Sequence, residues 1–294
     1  MATSAATIDY VPQLPLPPPP QPGPTKRREP PAKLRRFEEA PAFLRQNPFI
    51  HRGYRVLYTP RQCLRSVFQW NNETLNIWTH LVGIVFFGAV LVWDVRYRLP
   101  AVRAGLADSV IVVAVVCAYL TTLTLSVLYH TFNCQSKEAY YKLLRYDLAG
   151  VGLSLCSTFA SGVIMAFWQH AFFMYLYVSL ETVLLVVIVA TQDCDNTWVL
   201  CSLGVFGLVP TFHWLYLAPP YMWLIMPRVA LIFVYAAVSY LILAGRFPER
   251  LWPGRCDYLG ASHQIWHVLV LLMTYWWHET AFEFIRCKNG LCRS

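Results

Sequence analysis

Seven apolar stretches dominate this chain: Ile77 to Val95, Ser109 to Thr131, Asp147 to Trp168, His170 to Ala190, Val199 to Ala218, Met222 to Gly245 and His263 to Ile285. Each is near the roughly 20 residues that a helix needs to cross a bilayer. Composition agrees, since 56% of the 294 residues are apolar and only 14% charged, well below the roughly one quarter charged in a soluble globular domain. The expected fold is an all-α integral membrane protein, a seven-transmembrane helix bundle carrying a long N-terminal arm. Four parts are expected: a disordered proline-rich and basic tail (1–36), an amphipathic juxtamembrane segment (37–75), the bundle (76–287) and a short tail (288–294). No apolar stretch precedes Ile77, so a cleavable signal peptide is not expected and the first span acts as its own insertion signal.

Orientation follows from the basic residues of the loops. With the N-terminus cytoplasmic, seventeen Lys and Arg fall on the cytoplasmic side and six on the other, with Arg228 inside a span. That bias favours an inside N-terminus and an outside C-terminus. Nine cysteines, an odd number, show no C-x-x-C pair. Cys117, Cys156 and Cys201 fall in spans as small apolar residues, and Cys287 and Cys292 are able to pair on the far side, although their spacing does not require it.

The arm changes character along its length. "VPQLPLPPPPQPGP" (residues 11–24) is extended polyproline without internal hydrogen bonds, read as linker rather than ligand. "TKRREPPAKLRR" holds six basic residues against one glutamate, suited to an anionic leaflet or to simple solvation. From Phe37 to Trp70, aromatic and aliphatic residues interleave with Arg45, Arg52, Arg55, Arg61 and Arg65, a mixture that suits either the membrane interface or packing against the bundle.

Polar groups inside spans are costly and mark sites by default, so their depth matters. Glu73, Asn76 and His80 begin the first span in "NETLNIWTH"; Ser126 and His130 end the second in "SVLYH"; Asp147 begins the third in "YDLAG"; His263 and His267 begin the seventh in "SHQIWH". With alternating spans all of these fall at one level on one side, whichever way the bundle is inserted. His263 and His267, four residues apart, share a helix face. With His130 they would make a three-nitrogen site with an open fourth position, as in catalytic zinc centres. Ser126 lies one turn from His130, and Asp147 has the depth to hold a ligand or a metal-bound water. The plain alternative is a satisfied polar cluster capping the bundle. Elsewhere, Glu181 is expected to pair with Arg228 or His213, and Trp276, Trp277 and His278 to form part of an interfacial aromatic belt.

At these residues the chain resembles the progestin and adipoQ receptor family. Its hallmarks are a Glu, Asn and His heading the first span, S-x-x-x-H closing the second, D-x-x-G opening the third and H-x-x-x-H opening the seventh. Here they are Glu73, Asn76 and His80, then Ser126 and His130, then Asp147 and Gly150, then His263 and His267. The resemblance covers roughly Phe37 to Cys287. It implies seven helices with an inside N-terminus and a Zn2+ ion on His130, His263 and His267 near the cytoplasmic face, with Glu73, Asn76 and His80 in supporting positions. Members that bind adiponectin have zinc-dependent ceramidase-type activity, which would make Asp147 and Ser126 catalytic.

A finer similarity, carried by "NPFIHRGYR", "NETLNIWTHLVG", "PTFHWLYL", "FPERLWPG", "YLGASHQIWHVL" and "YWWHET", is to Golgi-resident members. These recruit Raf kinase through a cytosolic N-terminal region and damp the growth-factor MAPK cascade. The first 36 residues depart from that pattern, so functions of the extreme N-terminus do not carry over. Two classes are therefore expected to compete: a Golgi membrane anchor for Raf kinase in which zinc staples helices, and an amide hydrolase or adiponectin-type receptor whose lipid ligand enters the bundle sideways. Membrane lipids are partners under both, and no nucleic-acid partner is expected.

Overall fold

The structure, a computed structural model, describes residues 33–190, 202 and 204–292. The proline-rich tract, the basic run up to residue 32, the loop 191–197, Cys201 and the start of the fifth expected span lie outside the described residues.

The described chain is helical. A short α1 (Pro60–Ser66) is followed by α2 (Thr74–Trp93), which continues through a π turn (Asp94–Arg98) to Ala101. Then come α3 (Leu106–Phe132), α4 (Lys137–Ala166), α5 (Ala171–Ala190), α6 (Leu208–Leu217), α7 (Met226–Gly245) and α8 (Ser262–Lys288). Among the described residues, Thr74–Ala101, Leu106–Phe132, Lys137–Ala166 and Pro220–Gly245 are long and apolar enough to cross a membrane. Two further apolar helices, Ala171–Val187 and Gly204–Leu217, are shorter, while α8 is long but less apolar because it carries the polar residues of two clusters.

The helices outrun the apolar runs that announced them. The third span was expected from Asp147, yet α4 starts at Lys137, where the Ser136 hydroxyl caps it by accepting from the Ala139 N–H at 3.1 Å. Its first ten residues alternate the charged Lys137, Glu138, Lys142 and Arg145 with Tyr140, Leu143 and Leu144, which pack with Phe43 and Tyr129. The expected sixth span is divided, a 3-10 segment (Pro220–Ile225) preceding α7, whose first turn holds Pro227.

Packing places α3 against both α2 and α4, and α8 against α7, α2, α4 and α3. The α3–α4 contact depends on Gly150. A Cβ there would stand 3.2 Å from the Thr122 Cα, and the Thr122 hydroxyl donates to the Gly150 carbonyl at 2.7 Å. Small residues let helix backbones approach in this way, and the approach brings Asp147, one turn earlier, up to α3.

Two expectations are corrected at the far end of the bundle. Trp277 and His278 are buried, 5% and 2% exposed, and so do not form a belt. The Trp277 indole N–H donates to Ser161 at 3.0 Å, and the His278 Nε2 lies 2.9 Å from the Asp94 Oδ2. Arg98 grips Glu279 with both guanidinium nitrogens, at 2.7 and 2.9 Å, and lies over the Phe282 ring. These polar groups turn inward because they satisfy one another. Glu181 is buried but pairs with neither Arg228 nor His213, and neither oxygen has a partner among the described residues. His213 is bonded instead to the Tyr177 hydroxyl at 2.9 Å, and Arg228 lies over Trp276. Cys287 and Cys292 form a disulfide just beyond this end.

The segment before α2 packs against the bundle's other end. Phe43 joins Tyr129 and Tyr140, and Tyr58 joins Cys63 and Cys134. The loop between α7 and α8 closes over it: the His51 N–H donates to Asp257 at 2.7 Å and the Asn47 amide to Glu249 at 2.9 Å. Glu249 also accepts the Ser262 N–H at 2.7 Å and the Ser262 hydroxyl. A carboxylate is thus held at the N-terminus of α8, where the helix dipole favours negative charge.

Candidate metal centre

Glu249 fastens the first turn of α8 through Ser262, the residue before His263. The two rings stand one above the other on one helix face, with centroids 4.8 Å apart. His130, in the last turn of α3, meets them from across the bundle. One ring nitrogen from each of the three lies within 4.8 Å of the others, and the Nε2 atoms of His130 and His263 face each other at 3.3 Å. His130 and His267 are buried and His263 partly so.

The remaining ring nitrogens explain why the inward ones are free. His130 Nδ1 lies 2.8 Å from Glu73 Oε2, and His267 Nδ1 lies 3.3 Å from the Thr79 hydroxyl. A carboxylate on the outer nitrogen of a histidine fixes its tautomer and makes the inner nitrogen a better donor to a metal. Glu73 is itself held by the Asn76 amide at 2.6 Å and the Asn133 amide at 2.9 Å. Burial opposes the ionisation of Glu73, but His130, Arg55 and the Asn76 amide outweigh it and hold the carboxyl below its usual range. His80 is buried and stacks flat on His267, ring centroids 3.8 Å apart, so it fixes the plane of that ring. Three converging imidazoles, two of them braced from behind, are a donor set that suits zinc.

Ser126 is buried one turn before His130. Asp147 lies beside the Ser126 hydroxyl and in the field of His130 and Glu73. All eight residues singled out from the sequence therefore gather at one end of the bundle.

Several contributors carried no sequence signal. Arg55 is 2% exposed although it belongs to a run of otherwise surface-suited arginines. Its guanidinium donates to the carbonyls of His130 and Thr131, to the Ser66 hydroxyl and to Asn133 Oδ1. It thus fills the C-terminal end of α3, where helix carbonyls lack partners and positive charge is favoured. Asn133 and Thr79 were equally inconspicuous. Only the i+3 spacing of Asn133 from His130 pointed to a shared face.

Fold and site together define a polytopic helical membrane protein with a three-histidine centre at one end. The haemolysin-III-related family profile matches residues 68–278, and the chain belongs to that family, the progestin and adipoQ receptors. It is 32% identical to progestin and adipoQ receptor family member 3 of Mus musculus over 273 residues, 88% of each chain. It is 30% identical to heptahelical transmembrane protein 1 of Arabidopsis thaliana, covering 90% of this chain and 83% of the relative. The adiponectin receptor protein of Drosophila melanogaster is 28% identical over 83% of this chain and 57% of the relative.

Proposed function

We propose that this protein is a seven-span Golgi membrane anchor that holds Raf kinase through its cytosolic N-terminal region and restrains growth-factor MAPK signalling, with a zinc ion on His130, His263 and His267. The observation that carries this reading is the union of arm and centre. Arg55, from the arm, binds the carbonyls of His130 and Thr131, and Glu73, at the arm's end, braces the His130 ring. A metal here staples α3 to α8 and thereby stiffens the surface the arm presents. The likeness over 88% of each chain to progestin and adipoQ receptor family member 3 supports the same reading.

The distribution of cysteines supports a cytoplasmic arm. The disulfide joins Cys287 in the last turn of α8 to Cys292 beyond it, opposite the arm, as expected of an oxidising lumen, whereas Cys63 and Cys134 at the arm's end are thiols, as expected of cytosol.

A second reading, hydrolysis of a lipid amide, is favoured by Asp147 beside Ser126 and His130. When bound, zinc supplies a Lewis acid able to polarise an amide carbonyl. In that reading Asp147 would carry the proton and the Ser126 hydroxyl would orient it. Asp147→Asn separates the two. The anchor keeps its zinc, its Golgi residence and its Raf recruitment, and wild-type protein releases little or no fatty acid from ceramides. Zinc-dependent release that falls by roughly 10²- to 10⁴-fold in Asp147→Asn, the usual worth of a placed proton carrier, would overturn the anchor reading.

A further inference from the structure

Two cysteines that take no part in the metal centre meet at the seam between arm and bundle. Cys63 lies on α1, and Cys134 lies in the turn just past the end of α3. Their sulfurs are 3.5 Å apart, and the residues are 0% and 1% exposed. That separation is van der Waals contact, about 1.5 Å longer than a disulfide bond. Tyr58, Leu44 and Phe132 enclose the pair.

A single buried cysteine is ordinarily a small apolar filler. This pair differs in two ways. The thiols face each other across two separate parts of the chain, 71 residues apart in sequence. They also sit beside a cation, since Arg55 donates to Ser66 at 2.9 Å and the Ser66 hydroxyl donates to the Cys63 carbonyl at 2.7 Å. The contact with Cys63, together with the Arg55 charge, holds the Cys134 thiol below its ordinary value, which favours the nucleophilic thiolate.

We propose that Cys63 and Cys134 are a redox-modifiable dithiol, oxidised by a hydroperoxide to a disulfide that clasps the arm to α3. The Cys134 sulfur attacks the terminal peroxide oxygen, the O–O bond breaks, and the peroxide leaves as water or alcohol with one sulfur now a sulfenic acid. The Cys63 sulfur then attacks that sulfur, the S–S bond forms, and the hydroxyl departs as water. Two thiols lose two electrons and two protons, and one hydroperoxide is reduced. The clasp would tie α1 to the turn after the helix that carries His130. It needs neither metal nor kinase and stands apart from the anchor reading.

The test treats purified full-length protein with graded hydrogen peroxide, caps remaining thiols by alkylation and maps the peptides by mass spectrometry. A Cys63–Cys134 cross-linked peptide is expected, lost on addition of dithiothreitol and absent from Cys63→Ser, Cys63→Ala and Cys134→Ser proteins that keep the wild-type melting temperature. Amide hydrogen exchange across residues 60–66 should slow about tenfold on oxidation of the wild type, because a closed loop restricts local opening. It should not change in the Cys63 variants. Recovery of both cysteines as alkylated thiols, their separate oxidation to sulfinic acids, or a cross-link that leaves exchange unaltered would each overturn the proposal.

Discussion

Glu73 is the residue whose small change should be most informative. Its carboxylate binds the outer nitrogen of His130 while two amides hold it in place. Glu73→Gln keeps the shape but removes the charge that strengthens His130 as a donor. Zinc affinity should fall by roughly 10- to 100-fold, as for loss of a partner that orients a ligand, when measured by competition with a chromophoric chelator. Arg55 poses the complementary case, because it serves four acceptors at once from a buried position. Arg55→Ala leaves those groups unsatisfied and should destabilise the arm and the α3 terminus by about 3 kcal/mol. Arg55→Lys should restore little of this, since an ammonium cannot reproduce the planar fork. Thermal unfolding of both variants in detergent would decide the matter, and equal stability of Lys and wild type would show that charge alone suffices.

Among the elements, the α3–α4 contact has little room for change, because backbone stands against backbone there. Gly150→Val places methyl groups where Thr122 and Leu125 already stand, 3.2 to 3.5 Å from even the first added carbon. Either α4 moves away or neighbouring side chains leave their rotamers, a cost of typically 1–3 kcal/mol. Because Asp147 is three residues earlier on α4, the shift also withdraws it from Ser126. The expected result is a lower melting temperature with zinc retained, as the three histidines come from α3 and α8 and not from α4. Loss of zinc in Gly150→Val, detected by metal analysis, would mean that α4 supports the centre more directly than the contacts indicate. The double change His263→Ala, His267→Ala should instead remove the metal, leaving α3 and α8 without their staple, and should lower the melting temperature as well.

For the whole molecule, the two ends differ in chemistry. One end holds the arm, the histidines and the Cys63–Cys134 pair; the other holds the Asp94–His278 and Arg98–Glu279 contacts and the disulfide. In intact vesicles prepared from cells that express the protein, with the cytosolic face outward, an epitope at the N-terminus should be open to antibody, while one at the C-terminus should become accessible only after the membrane is permeabilised. The reverse pattern would place the metal centre on the lumenal side. The structure also bears on how the arm is studied. Residues 37–70 pack on the bundle through Phe43, Tyr58 and Arg55, so removing them should destabilise the end that carries the histidines.

The sequence by itself determined the class of fold and the depth of the site. Apolar length is a local property, and a polar residue within a span records its own height in the bilayer, so His130, Asp147 and His263 could be placed at one level without any contact being known. The four-residue spacing of His263 and His267 was legible for the same reason, being a constraint within one helix, whereas Gly150 was marked only by the family resemblance. What only the tertiary structure decided was pairing. Arg55 reads as one more surface arginine until the end of α3 lies beneath it. His278 and Trp277 read as interface residues until Asp94 and Ser161 are brought alongside. Glu181 read as half of an ion pair that the packing does not form. A polar side chain's partner lies on another helix, and helix rotation and approach follow from the sum of contacts over the whole bundle, a quantity no short stretch of chain contains.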